Sequence, residues 1–110
     1  MVMHGYDLIR AERIRQVVAE DYSAEHDKGH EDELALAAAC YSLVGVNGGG
    51  HLQALSNGVP WLWPWESAYW KPRDKKRDLV RAGALIAAAL DALLASEAPA
   101  PGPTIEGIPR

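Results

Sequence analysis

Phenylalanine is absent from this sequence of 110 residues, and cysteine occurs once, at Cys40. A single thiol excludes an internal disulfide and the cysteine-rich zinc sites. It also sits in the small apolar run Ala37-Ala38-Ala39-Cys40, where a thiol is inert rather than nucleophilic. Alanine is the largest contributor to a hydrophobic share of 48%, so the core is expected to come from helices that approach closely, not from bulky side chains. Net positive charge is missing as well: the formal charge is −4 and the pI about 5.5, which excludes a general nucleic-acid binder. No signal-peptide pattern and no apolar run of spanning length is read in the chain, so the expectation is a soluble, cytoplasmic protein with no membrane contact. A chain of this length forms one domain, residues 1–97, with a modest core, and oligomerisation would supply further burial.

What is present is unevenly placed. All four tryptophans fall in Trp61-Leu62-Trp63-Pro64-Trp65-Glu66-Ser67-Ala68-Tyr69-Trp70, which is bounded by Pro60 and Pro72 and runs into Lys75-Lys76-Arg77. Five large rings in ten residues are more than a small domain buries as ordinary core, so some are expected to face a ligand or a partner. Residues Glu20 to Glu33 hold seven carboxylates against Lys28, and residues Lys71 to Arg81 hold six cations against Asp74 and Asp78. One region seeks cations and the other anions, unless the two are solvated faces or pair with each other.

Periodicity predicts an all-α fold, a small three-helix bundle. The first helix runs from an N-cap at Asp7 to about Asp21, with Leu8, Ile14, Val17 and Val18 as its apolar stripe and Arg10, Arg13 and Arg15 on its flanks. Arginines near a helix start oppose the helix dipole, which hints at another use for them. Residues 22–30 read as an ordered loop. The second helix starts at Glu31, where three acids suit its positive end, and stops at Gly45; being apolar or small on every side, it is expected to be central. Val46 to His51 is a glycine-rich connector without the spacing of a P-loop. The Trp/Pro-rich segment is expected to lie on the bundle as an extended lid. The third helix follows Asp74 and reaches Leu94, with Leu79, Val80, Ile86, Leu90 and Leu93 as its stripe and Gly83 marking a close helix approach. Residues 98–110 form a Pro/Gly-rich tail, suited to lie on a neighbouring subunit.

Two groups of residues suggest chemistry. Glu25, His26, Asp27 and His30 have the density, though not the His-Glu-x-x-His spacing, of a metal site for an ion such as Mg or Mn; Glu25 and Asp27 serve equally as helix caps or as partners for arginines. Trp63, Trp65 and Trp70 beside Lys71, Arg73, Arg77 and Arg81 could hold a base by stacking and its phosphates by charge. The same rings and cations could grip a protein surface. No serine lies in a nucleophile elbow.

The order of Arg13-Ile14-Arg15-Gln16, Glu25-His26-Asp27 with His30, Ala39-Cys40-Tyr41, Trp63-Pro64-Trp65, Trp70-Lys71-Pro72 and Arg77-Asp78-Leu79-Val80-Arg81-Ala82-Gly83-Ala84-Leu85-Ile86 resembles a widespread group of small phage and prophage proteins. The resemblance implies a protein acting in the cytoplasm of a host cell and supplies no catalytic residues. A more distant similarity, to the all-α nucleotide pyrophosphohydrolases of the MazG type, would give Glu20, Asp21, Glu31, Asp32 and Glu33 a metal-binding part, but their paired acidic words are missing here. The leading expectation is a homo-oligomeric, nucleotide-binding protein without a cofactor that sequesters a nucleotide-derived immune signal. The alternatives are a metal-dependent pyrophosphohydrolase and a protein-binding inhibitor of a host factor.

Overall fold

The computed structural model describes residues 2–44, 46, 55 and 57–97. The tail 98–110 and most of the glycine-rich connector lie outside the described residues. Four helices follow one another: α1 (Gly5–Glu20), α2 (Ala24–Asp27), α3 (Glu31–Leu43) and α4 (Lys75–Ser96). Among the described residues there is no strand other than an isolated bridge position at Pro60. The all-α bundle is as expected, with one short helix more than expected.

Local chemistry sets most of the boundaries. The α1 helix starts one turn earlier than the Asp7 cap would put it, because His4 is the N-cap and Asp7 sits in the first turn, where its Oδ2 accepts the His4 backbone N–H at 2.9 Å. Asp21 adopts a left-handed conformation (φ 58°) and ends the helix. The expected loop contains α2 because Ser23 caps it, its Oγ accepting the His26 N–H at 3.2 Å. Glu31, Asp32 and Glu33 open α3. Asp74 caps α4 as expected, accepting the Arg77 N–H at 2.9 Å.

The packing departs from the sequence expectation in three ways. The central helix is α4, not α3: α1, α2 and α3 all rest on it. Its inward face is Ala82, Ala84, Leu85, Ala88 and Ala92, whereas Leu79, Ile86, Leu90 and Leu93 of the expected core stripe face solvent. The reason is steric, since methyl groups let three helices come close to a fourth where leucines would hold them apart. The third departure is in α1, which buries Glu12, Arg13 and Gln16 and leaves Ile14, Val17 and Val18 exposed. The core is completed by Leu34, Ala37, Ala38, Cys40 and Tyr41 of α3, with Val59 and Trp63 from the segment between α3 and α4.

With 22 residues, α4 is long and apolar enough to cross a membrane by length and composition, which corrects the expectation that no such run exists. Its alanines raise the hydropathy while forming the core of a compact bundle, a packing compatible with a soluble protein.

Gly83 marks a close approach, but within the chain. A Cβ there would stand 2.5 Å from Ile9 Cδ1 and 2.7 Å from Cγ1. Gly83→Leu is expected to lower stability by about 1–3 kcal/mol through overpacking, read as an earlier urea midpoint with unchanged slope. In Gly83→Ala, a helix-propensity gain of about 1 kcal/mol is set against displacement of the Ile9 side chain, whose Cδ1, Cγ1 and Cγ2 all lie within 3.3 Å of the new Cβ, so its loss should be smaller than that of Gly83→Leu. Adding Ile9→Ala to Gly83→Leu should recover part of the loss; no recovery would show that the bulk meets something else.

Candidate functional site

The charged face of α1 anchors the site. Glu12 is 4% exposed and accepts four hydrogen bonds: from Arg15 Nε (2.9 Å) and Nη2 (2.8 Å), from Arg77 Nη2 (2.8 Å) and from Gln16 Nε2 (3.2 Å). Burial by itself would raise the carboxyl pKa, but the hydrogen bonds and charges of Arg15 and Arg77 outweigh it and hold the group at about 2. The Arg15 guanidinium is driven upward in turn, chiefly by its bonds to Glu12. Arg13 ties three elements together: Nη1 donates to the Tyr22 carbonyl at 2.7 Å, Nε to Asp91 at 3.1 Å, and Nη2 lies 3.9 Å from Asp27 Oδ2.

Opposite this face stands a box of rings. Tyr41 of α3 meets Trp63 edge-on at 5.6 Å and Trp70 at 4.8 Å, and Trp63 meets Trp65 edge-on at 5.3 Å. Two of these indole N–H groups are satisfied, Trp63 Nε1 by the Glu66 carbonyl (3.1 Å) and Trp65 Nε1 by Glu33 Oε2 (3.0 Å). The Arg81 guanidinium lies 5.5 Å from the Tyr41 ring centroid and donates to the Lys71 carbonyl. The Trp/Pro-rich segment is thus pinned to the bundle, with one 3-10 turn at Ser67–Tyr69. Its far end is held by buried Asp78, whose Oδ1 accepts the Arg73 backbone N–H at 2.8 Å.

Two clefts open between these parts. The aromatic cleft, about 720 Å³, is walled by Tyr41, Trp63, Trp65 and Tyr69, and carries five carboxylates (Glu12, Glu20, Asp27, Glu33, Glu66) against Arg15, Lys71 and Arg81. The basic cleft, about 660 Å³, is lined by Arg15, Arg73, Lys76, Arg77 and Arg81 against Glu12 and Asp74. Glu12, Arg15 and Arg81 belong to both and form the ridge between them. Of the residues expected to hold a ligand, Trp63, Trp65, Lys71 and Arg81 meet in the first cleft, and Arg73, Arg77 and Arg81 in the second. Trp70 lines neither; it packs on the core behind Tyr41. Tyr41 and Glu12 are site residues that the sequence reading did not single out, whereas Arg15 was noted there for its charge near a helix start and Glu33 through the pyrophosphohydrolase similarity. The wrong-signed arginines of α1 were the available signal for the first of these charges.

The expected metal set does not assemble. Glu25 turns outward to Lys28 at 3.6 Å, and among the described residues no three His, Cys, Asp or Glu side chains come together as a ligand group. His26, Asp27 and His30 instead line the aromatic cleft. Each imidazole is oriented through Nδ1, His26 by Asp27 Oδ1 (2.8 Å) and His30 by Glu33 Oε1 (3.2 Å). The bonds from His30 and then Trp65 lower the Glu33 pKa. Asp27 is buried, and its Oδ2 has no hydrogen-bond partner among the described residues. Burial raises the Cys40 thiol pKa, in keeping with an inert thiol.

No family model, curated protein or solved structure matches the chain.

The Glu12 shift gives stability a pH dependence. A carboxyl at about 2 in the folded protein against 4.5 ordinarily contributes stability that is complete above pH 4.5 and is lost as pH falls towards 2, about 3 kcal/mol in all. Urea unfolding at stepped pH should show this decline, and Glu12→Gln should flatten it while lowering stability near neutral pH. An unchanged slope in Glu12→Gln would move the acid sensitivity to another carboxylate.

Proposed function

We propose that the protein binds a nucleotide, its base in the aromatic cleft and its phosphates over the ridge into the basic cleft, and sequesters it without turnover. The observation that carries this reading is that a ring-walled cleft and a cation-lined cleft share Arg15 and Arg81. The first cleft falls within the usual size of small-molecule sites. Trp65 offers a half-buried ring for stacking, and the spare Asp27 Oδ2 asks for a donor such as the exocyclic amino group of a base. Lys71, Arg73, Lys76 and Arg81 favour the opposite, phosphate end.

Sequestration is favoured over metal-dependent hydrolysis because two of the nearby carboxylates are already engaged, Glu12 by two arginines and Glu33 by His30 and Trp65. A two-carboxylate metal clamp needs such groups free to converge. The resemblance to small phage proteins supplies the biological half of the proposal. The nucleotide is then a host immune signal, and the protein acts in the cytoplasm of the host.

Calorimetry against linear and cyclic nucleotides tests this. Trp65→Ala should weaken binding roughly 5- to 150-fold, the worth of one stacked base, at every salt concentration, whereas Arg81→Ala should weaken it most at low salt. Hydrolysis of nucleoside triphosphates that needs magnesium or manganese would replace this reading with the pyrophosphohydrolase. If no nucleotide binds and the same two variants lose capture of a host protein, the aromatic segment is a docking surface instead.

A further inference from the structure

One side of α4 carries a row of large apolar side chains that the fold leaves in water. Leu79, Ile86, Leu90, Leu93 and Leu94 are each between 46% and 56% exposed. At 3.6 residues per turn they fall within an arc of about 100° and extend for about 22 Å. Single exposed leucines are ordinary, but five within one arc of a helix, interrupted where Ile9 of α1 covers Gly83, mark a contact surface. Arg77 and Arg81 leave α4 on the other side, towards Glu12 and Tyr41, so the row is separate from both clefts.

Three of the five residues, together with the charges at the helix ends, are symmetric about Ile86, whereas Leu90 and Leu94 mirror the buried Ala82 and Asp78. Leu79 and Leu93 stand seven residues to either side of Ile86, and Lys75 and Glu97 stand eleven to either side. Both separations are close to whole numbers of helical turns, which keeps all five positions on one face. Such an arrangement suits a two-fold contact, in which residue i meets j while j meets i. The charges have the same logic. Lys75 begins α4 and Glu97 follows its last turn, so each opposes the dipole of its own helix. Beside an antiparallel copy, each would face the opposite charge and the opposite helix end.

We propose that the protein is a homodimer in which α4 pairs antiparallel with α4 of a second copy about a two-fold axis at Ile86. Leu79 then packs on the partner's Leu93, Ile86 on the partner's Ile86, and Lys75 pairs with the partner's Glu97. Covering the row on both copies removes on the order of 1,000 Å² from water, the lower end of specific interfaces. This assembly does not depend on the nucleotide reading, because none of these residues lines a cleft.

Light scattering should give about twice the chain mass of 11.9 kDa across the micromolar range. Ile86→Glu should reduce it to one chain without changing the helical circular dichroism. Lys75→Glu and Glu97→Lys should each weaken the dimer several-fold, and the two together should restore it. A short bis-maleimide should link Ile86→Cys to itself, whereas Leu79→Cys should link only when mixed with Leu93→Cys; buried Cys40 keeps the parent protein unlinked. A parent chain that is monomeric overturns the proposal, whether the row is free or taken up by a lipid vesicle, another protein or the chain's own tail. A dimer indifferent to Ile86→Glu, or Leu79→Cys linking to itself as readily as Ile86→Cys, overturns it equally.

Discussion

The thinness of α4 on its inner side is the constraint from which the rest of the architecture follows. Three helices can rest on a fourth only if their axes come near it, and Ala82, Ala84, Ala88 and Ala92 permit that approach. Close-packed methyl groups gain many small dispersion contacts and little burial per residue. A core of this kind has no room for correction, since any larger side chain at these positions drives the helices apart. Gly83 against Ile9 is the extreme case.

Such a core is small, and α1 is held by other means. Its inward face is polar, and it is fastened by Glu12 to Arg77 and by Arg13 to Asp91 and the Tyr22 carbonyl. Buried ion pairs are weak contributors to net stability but expensive to break by removing one partner. They fix the register of α1 on α4 more than they strengthen it. The Glu12 and Arg15 pair also forms the ridge between the two clefts, so the fastening of the helix and the shape of the candidate site are one object. A change that loosened α1 would widen the ridge.

What could be read from the residues divides along the same line. Features set by neighbours in the chain were legible: the Asp74 cap, the acidic start of α3, the pinned Trp/Pro-rich segment, and the meeting of Trp63, Trp65, Lys71 and Arg81. The inward face of α4 was not, because Leu79, Ile86 and Leu93 have the spacing of a core stripe and periodicity does not say what covers a stripe. Nor was α1, whose buried face depends on pairs such as Arg13 with Asp91, far apart in the chain. The expected grouping of metal ligands does not come together among the described residues for a related reason. Density of acids and histidines along the chain says nothing of which cation each will meet, and Glu25 and Asp27 met Lys28 and Arg13. Tyr41 stayed hidden among small residues of α3 until the rings around it were placed.

The ring cluster has an optical consequence. Tyr41, Trp63, Trp65 and Trp70 sit with centroids about 5 Å apart at fixed, mostly crossed or tilted angles, so their ultraviolet transitions couple and give a chiral signal that depends on the relative orientation of the rings. Trp65 is the member that also forms the cleft wall, with its indole N–H fixed on Glu33. The molecule therefore carries an intrinsic chromophore array whose near-ultraviolet circular dichroism reports the state of the cleft without any label, and whose loss would register the release of the Trp/Pro-rich segment.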